Sequence, residues 1–135
     1  MRRLKWSDNY SVYMPDIDEE HRQIFDAAGL LSQSLLAGDV DLKPLMARII
    51  EHAAAHFAHE EELMRVTRYP GYAWHKRQHE TAVNYLAPLA QDGSRKAAVE
   101  LLRFLSDWLR NHVRMTDRIM GAYVRNRSRL AAIAS

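Results

Sequence analysis

Imidazoles and carboxylates recur in this chain at one ordered set of spacings, and that pattern restricts the fold more than composition does. His21 comes first, then His56 and Glu60, then His75 and His79, then His112 and Asp117. They fall in four stretches of helical periodicity, divided by short polar or Gly/Pro-containing breaks. A chain patterned in this way reads as all-α. Its 135 residues suffice for one domain, 1–135, in which a helical bundle buries about two thirds of the surface that the unfolded chain exposes.

An N-terminal arm, residues 1–17, leads into the first helix, with Pro15 favouring an extended entry. Asp16 or Asp18 is placed to cap that helix, and Glu19 and Glu20 suit the positive end of its dipole. The helix runs to about residue 37, with Ile17, His21, Ile24, Phe25, Ala28, Ser32 and Leu35 on its inward stripe. After Gly38 to Asp41, a second helix covers about 42–65, and Met46, Ile49, Ala53, His56, Glu60 and Leu63 share one face. The break at Arg68 to Gly71 precedes a third helix with Tyr72, His75, His79, Ala82, Val83, Leu86 and Leu89 or Ala90 inward. Pro88 is expected to loosen or kink its last turn.

Ser94 is a natural cap for the fourth helix, whose stripe is Ala98, Leu101, Leu102, Leu105, Leu109, His112 and Thr116. Asp117 does not join it. Five residues of regular helix turn about 500°, which leaves Asp117 roughly 140° from His112. Either the two side chains reach a common site from different sides of the helix, or a widened π-type turn brings them together; the widened turn is preferred. Gly121 is expected to end or bend the helix. The basic extension 121–135, with Arg125, Arg127 and Arg129 among Val124, Leu130 and Ile133, either continues as helix or frays.

There is no cysteine, so disulfides and thiolate chemistry are excluded and any metal must be held by nitrogen and oxygen. Nineteen Lys and Arg against 17 Asp and Glu give no reason to invoke nucleic acid or a membrane surface. The N-terminus lacks a signal-peptide core and no stretch approaches a membrane span, so a soluble, cytoplasmic protein is expected. Inward imidazoles and carboxylates left without partners would cost roughly 1 to 3 kcal/mol each. A two-metal centre removes that penalty. Bridging carboxylates between near-octahedral ions favour iron or manganese over tetrahedral zinc, with iron first. With only Glu60 and Asp117 to offset two divalent ions, the imidazole-rich set disfavours highly oxidised iron and suits reversible dioxygen binding.

These residues resemble a known family. The run from Trp6 to Tyr10 with Ser11 and Val12, then Ile17 Asp18 Glu19 Glu20 His21; His56 Phe57 Ala58 His59 Glu60 Glu61; Met64 with Tyr69 Pro70; His75 with His79; and Trp108 Leu109 Arg110 Asn111 His112 with Asp117 are together similar to hemerythrin, in its bacterial single-domain form. The match covers residues 6 to about 124. The resemblance implies an up-down-up-down four-helix bundle around two iron ions joined by a bridging oxo or hydroxo group. His75, His79 and His112 would ligate one iron, His21 and His56 the other, and Glu60 and Asp117 would bridge them. The second iron would keep the position for dioxygen, inside an apolar pocket of Ile24, Phe57, Trp108, Leu109 and Val113 that excludes water.

Some positions depart from the family pattern. Tyr13 stands where a small residue is usual and reads as packing, or as a phenol close enough to supply a proton. Glu20 stands where Gln is common. His52, one turn before His56, is a candidate for support of the site, and His59 reads as part of a solvated face. The expected function is dioxygen storage or delivery without catalysis, with dioxygen and an electron donor or oxygen-consuming protein as partners. The alternatives are an oxygen or redox sensor acting through a separate protein, and an enzyme that consumes peroxide or nitric oxide.

Overall fold

The computed structural model describes residues 4–134, whose regular elements are all helices, with no strand among them. Helices α1 (Pro15–Ala37), α2 (Lys43–Val66) and α3 (Tyr72–Asp92) form three rods. The fourth is composite: α4 (Arg95–Asn111), a π-helical segment His112–Asp117, and α5 (Arg118–Ala134). Consecutive rods pack on each other and α4 closes back onto α1. With such short connections, successive rods run antiparallel, giving the expected all-α four-helix bundle. No helix among the described residues is long and apolar enough to cross a membrane.

The breaks act through local backbone chemistry. Gly38 adopts φ 79°, so its N–H and that of Asp39 turn back to the carbonyls of Leu35 and Ser34 and close α1. Ser94 caps α4, its hydroxyl oxygen accepting from the Ala97 N–H at 3.1 Å. The cap expected from Asp16 or Asp18 does not form. α1 begins at Pro15, behind Met14, with no side-chain cap. Asp18 lies one turn inside, and its carboxylate accepts from the Ser11 hydroxyl at 2.6 Å and the Val12 N–H at 2.8 Å. It ties the arm down instead. α3 also runs on through Pro88 to Asp92.

Two apolar clusters sandwich a polar layer. The larger draws on Leu31, Leu35, Met46, Ile49, Leu86, Leu101 and Leu105; the smaller on Met64, Met120 and Val124. Each large side chain so buried contributes about 1.5 to 3 kcal/mol. The buried stripes are wider than expected, taking in Ala27, Leu31 and Met64, while Ser32 and Leu63 are only half-buried.

The arm crosses the fourth rod. Trp6 and Tyr10 pack their rings on Phe25 at 5.8 and 4.8 Å, and Arg118 donates to the carbonyls of Asn9 and Ser11. Gly121 does not end the rod, since α5 runs through it to Ala134. A Cβ there would lie 3.1 Å from the Val12 carbonyl oxygen, so glycine lets the arm approach.

Candidate metal centre

All seven ligand candidates are buried in the polar layer, and all four rods supply at least one. One-turn spacing places His56 with Glu60 on α2 and His75 with His79 on α3. The π-helical segment does the same for a five-residue gap, leaving His112 Nε2 2.9 Å from Asp117 Oδ1. Of the two arrangements left open by the spacing, the widened turn is the one present.

Each carboxylate divides its oxygens between two groups of imidazoles. Glu60 Oε1 faces His79 Nε2 at 3.0 Å and His75 Nε2 at 3.5 Å, while Oε2 faces His56 at 3.4 Å and His21 at 4.0 Å. Asp117 Oδ1 faces His112 at 2.9 Å and His75 at 3.0 Å, while Oδ2 faces His21 at 3.0 Å. Two donor sets result: His75, His79 and His112 with both carboxylates, and His21 and His56 with both carboxylates. Within each set the donor atoms lie within 4.8 Å of one another.

Several of these approaches are short, but the facing atoms do not form hydrogen bonds. The Nε2 atoms of all five histidines, both Glu60 oxygens and Asp117 Oδ1 are buried with no hydrogen-bond partner. Orphaned acceptors aimed at shared points are costly in a protein interior and are satisfied by cations. The donor set fits two divalent ions.

The outward nitrogens of three imidazoles are held in turn. His56 Nδ1 lies 2.7 Å from Glu20, His79 Nδ1 3.0 Å from Glu61, and His112 Nδ1 2.9 Å from the Gln78 side-chain oxygen. Such partners fix which nitrogen carries the proton and turn Nε2 inward. Charge is strongly shared. Burial lowers His56, but the Glu60 and Glu20 carboxylates overcome it and raise the imidazole to about 10. Burial likewise lowers His75, and Asp117 and Glu60 raise it to about 9. Burial raises Glu60, as does the Asp117 charge, yet His56 and His75 hold it well below the ordinary carboxylate range. Burial also raises Asp117, and His112, His21 and His75 hold it well below that range.

A family model described as "Hemerythrin HHE cation binding domain" matches residues 14–124. The chain belongs to the hemerythrin family. It is 33% identical over 125 residues to a bacteriohemerythrin of Stenotrophomonas maltophilia, covering 87% of this chain and 78% of that protein. It is 31% identical to the myohemerythrin of Sipunculus nudus and 30% identical to the hemerythrin of Siphonosoma cumanense, covering 83% of this chain and 86% of each relative.

The five apolar candidates all belong to the larger apolar cluster, and two of them pack on ligand candidates of this hemerythrin-type site. Ile24, Phe57, Leu109 and Val113 are buried and Trp108 is half-buried. Phe57 stacks on His79 at 4.0 Å with the planes 8° apart, and Trp108 stacks on His112 at 4.1 Å and 12°. Three other candidates depart from expectation. Tyr13 is 61% exposed on the arm, beneath the guanidiniums of Arg118 and Arg125, and takes no part in the cluster. The His52 side chain makes no hydrogen bond or ion pair among the described residues. His59 is not merely solvated: its Nδ1 lies 2.6 Å from the second Glu20 oxygen, so one carboxylate holds two imidazoles.

Glu61 and Gln78 were not legible as parts of the site. Each adjoins a ligand candidate in sequence, and only the pairing of α3 with α2 and α4 shows that it meets an imidazole.

Proposed function

We propose that the cluster holds two iron ions and that the chain binds dioxygen reversibly, storing or delivering it without catalytic turnover. The observation that carries this reading is the unequal division of imidazoles, three against two, around carboxylates that turn one oxygen to each group. His75, His79 and His112 would hold one ion, His21 and His56 the other, with Glu60 and Asp117 spanning both. The ion held by His21 and His56 would have fewer protein ligands and would be the one left open to a small molecule. Bound there, the iron pair supplies reversible two-electron chemistry for dioxygen.

The chain's own groups set the conditions. Ile24, Phe57, Trp108, Leu109 and Val113 keep water and stray protons away from the bound molecule. Glu20 and Glu61 make His56 and His79 better donors, so four carboxylates, not the two counted from the inward stripes, offset the metal charge. That balance favours electron donation to dioxygen while stopping short of the carboxylate-dominated sets that support oxidative attack on substrates.

Anaerobic ferrous protein mixed with dioxygen is expected to give a coloured complex that reverses under vacuum, with two irons per chain, one for each donor set. Immediate irreversible conversion to the ferric form would overturn the proposal. So would sustained turnover of peroxide or nitric oxide with added reductant.

A further inference from the structure

The basic extension is helical. α5 continues to Ala134, past residue 124 where the family match ends. Met120, Gly121 and Val124 face the bundle. Ile119, Tyr123, Asn126, Leu130 and Ile133 follow one another at steps of four, three, four and three. At about 100° per residue they occupy an arc of about 80°, centred about 140° around the rod from the bundle-facing side. Ile119, Leu130 and Ile133 are 63%, 51% and 74% exposed. Tyr123 is half-buried, its hydroxyl donating to the carbonyls of Thr67 and Arg68.

This is the spacing of a coiled-coil seam. Arg127 and Arg129 border it, each about 80° from its midline and on opposite sides. From residue 118 onward the chain carries Arg118, Arg125, Arg127 and Arg129 and no Asp or Glu. A second copy would therefore set the flanking Arg127 and Arg129 against the same pair with no carboxylate between them, within a Debye length of about 8 Å. A helix lying on a membrane needs a broad apolar face, whereas this stripe is narrow and has Asn126 at its middle. A polar residue in such a seam selects partner and register.

We infer that the stripe from Ile119 to Ile133 is a docking seam for a single amphipathic helix of a partner protein, with carboxylates on that helix facing Arg127 and Arg129. The inference stands on α5 alone and goes beyond the metal centre. It supplies the kind of contact through which the state of the bundle would reach another protein.

The test uses the full iron-loaded chain and two synthetic peptides of about three heptads, with leucine along the seam, one asparagine to meet Asn126, and either glutamate or lysine on both flanks. Calorimetry is expected to show binding of the glutamate peptide and at least about tenfold weaker binding of the lysine peptide, with the difference shrinking at high salt. The double variant Arg127→Glu/Arg129→Glu should reverse the preference, and Leu130→Ser/Ile133→Ser should lose both peptides. Iron content and helical circular dichroism should be unchanged in each, because all four side chains are solvent-exposed, and this separates failure of the seam from failure of the metal proposal. Equal binding of the two peptides, no binding, or no effect of charge reversal would overturn the inference. Sedimentation showing a dimer that excludes the peptide would replace it with self-association. Pelleting with phosphatidylcholine vesicles containing about one third phosphatidylserine, in place of peptide binding, would replace it with a lipid surface.

Discussion

His112 and Asp117 are five residues apart on one rod, yet their Nε2 and Oδ1 atoms are 2.9 Å apart because one π-helical segment lies between them. A π-bulge is equivalent to one residue inserted into an α-helix. Deleting the exposed Arg114 should restore a regular helix and leave the pair at i,i+4, still on one face. Inserting an alanine after Arg114 should swing Asp117 by about 100°. Metal analysis is expected to find near-normal iron in the deletion and a large loss in the insertion. Loss of iron in the deletion would mean that the pair depends on something other than helical phase.

Leu109 is fully buried in the larger apolar cluster and follows Trp108, whose ring stacks on His112. Leu109→Ala should cost about 2 to 5 kcal/mol of stability. It should keep both irons but admit water, so that bound dioxygen is lost to the ferric form several-fold faster. Stopped-flow absorbance checks this, and an unaltered rate would remove Leu109 from the pocket's function.

The pH dependence has a definite sign. His56 and His75 are raised to about 10 and about 9, against about 6.5 in an unfolded chain. In protein stripped by a chelator, their stabilising contribution is complete below about 6.5 and disappears as pH climbs through 9 to 10. Glu60 and Asp117 are depressed, so their contribution is present above about 4 and is lost as pH falls through their lowered values. The Tm of stripped protein should therefore fall between pH 6.5 and 10. Iron-loaded protein should resist that fall, since ligation needs neutral imidazoles. Parallel melting curves for the two forms would refute this account.

Asp18→Ala removes the acceptor for the Ser11 hydroxyl and the Val12 N–H. The expected cost is about 1 to 3 kcal/mol, read as a lower denaturant midpoint, with faster amide exchange at Val12. Iron content should be preserved, because the arm supplies no ligand candidate. A variant with unchanged exchange at Val12 would show that the bonds to Asp18 are not what secures the arm.

Much of this was legible from periodicity. One-turn pairs of His and Glu declare their shared face, Ser94 declares a helix start, and the five-residue gap before Asp117 is readable as an extra residue. Asp18, Gly121 and His59 were not readable in the same way. Each has an ordinary local role, as a cap, a terminator or a solvated side chain. Each was reassigned by a contact outside its own helix: the arm for Asp18 and Gly121, and α1 for His59. Helical phase is local information, whereas the contacts of Gly121 and His59 exist only once the rods have packed, and those of Asp18 only once the arm folds back on α1.

The ligand candidates run from His21 to Asp117, and the last two arrive on the final rod. A chain still being synthesised presents at most His21, His56, Glu60, His75 and His79 until that rod emerges, with neither donor set complete. Closure of either donor set thereby waits for the last rod, and an interrupted chain is left with both sets incomplete.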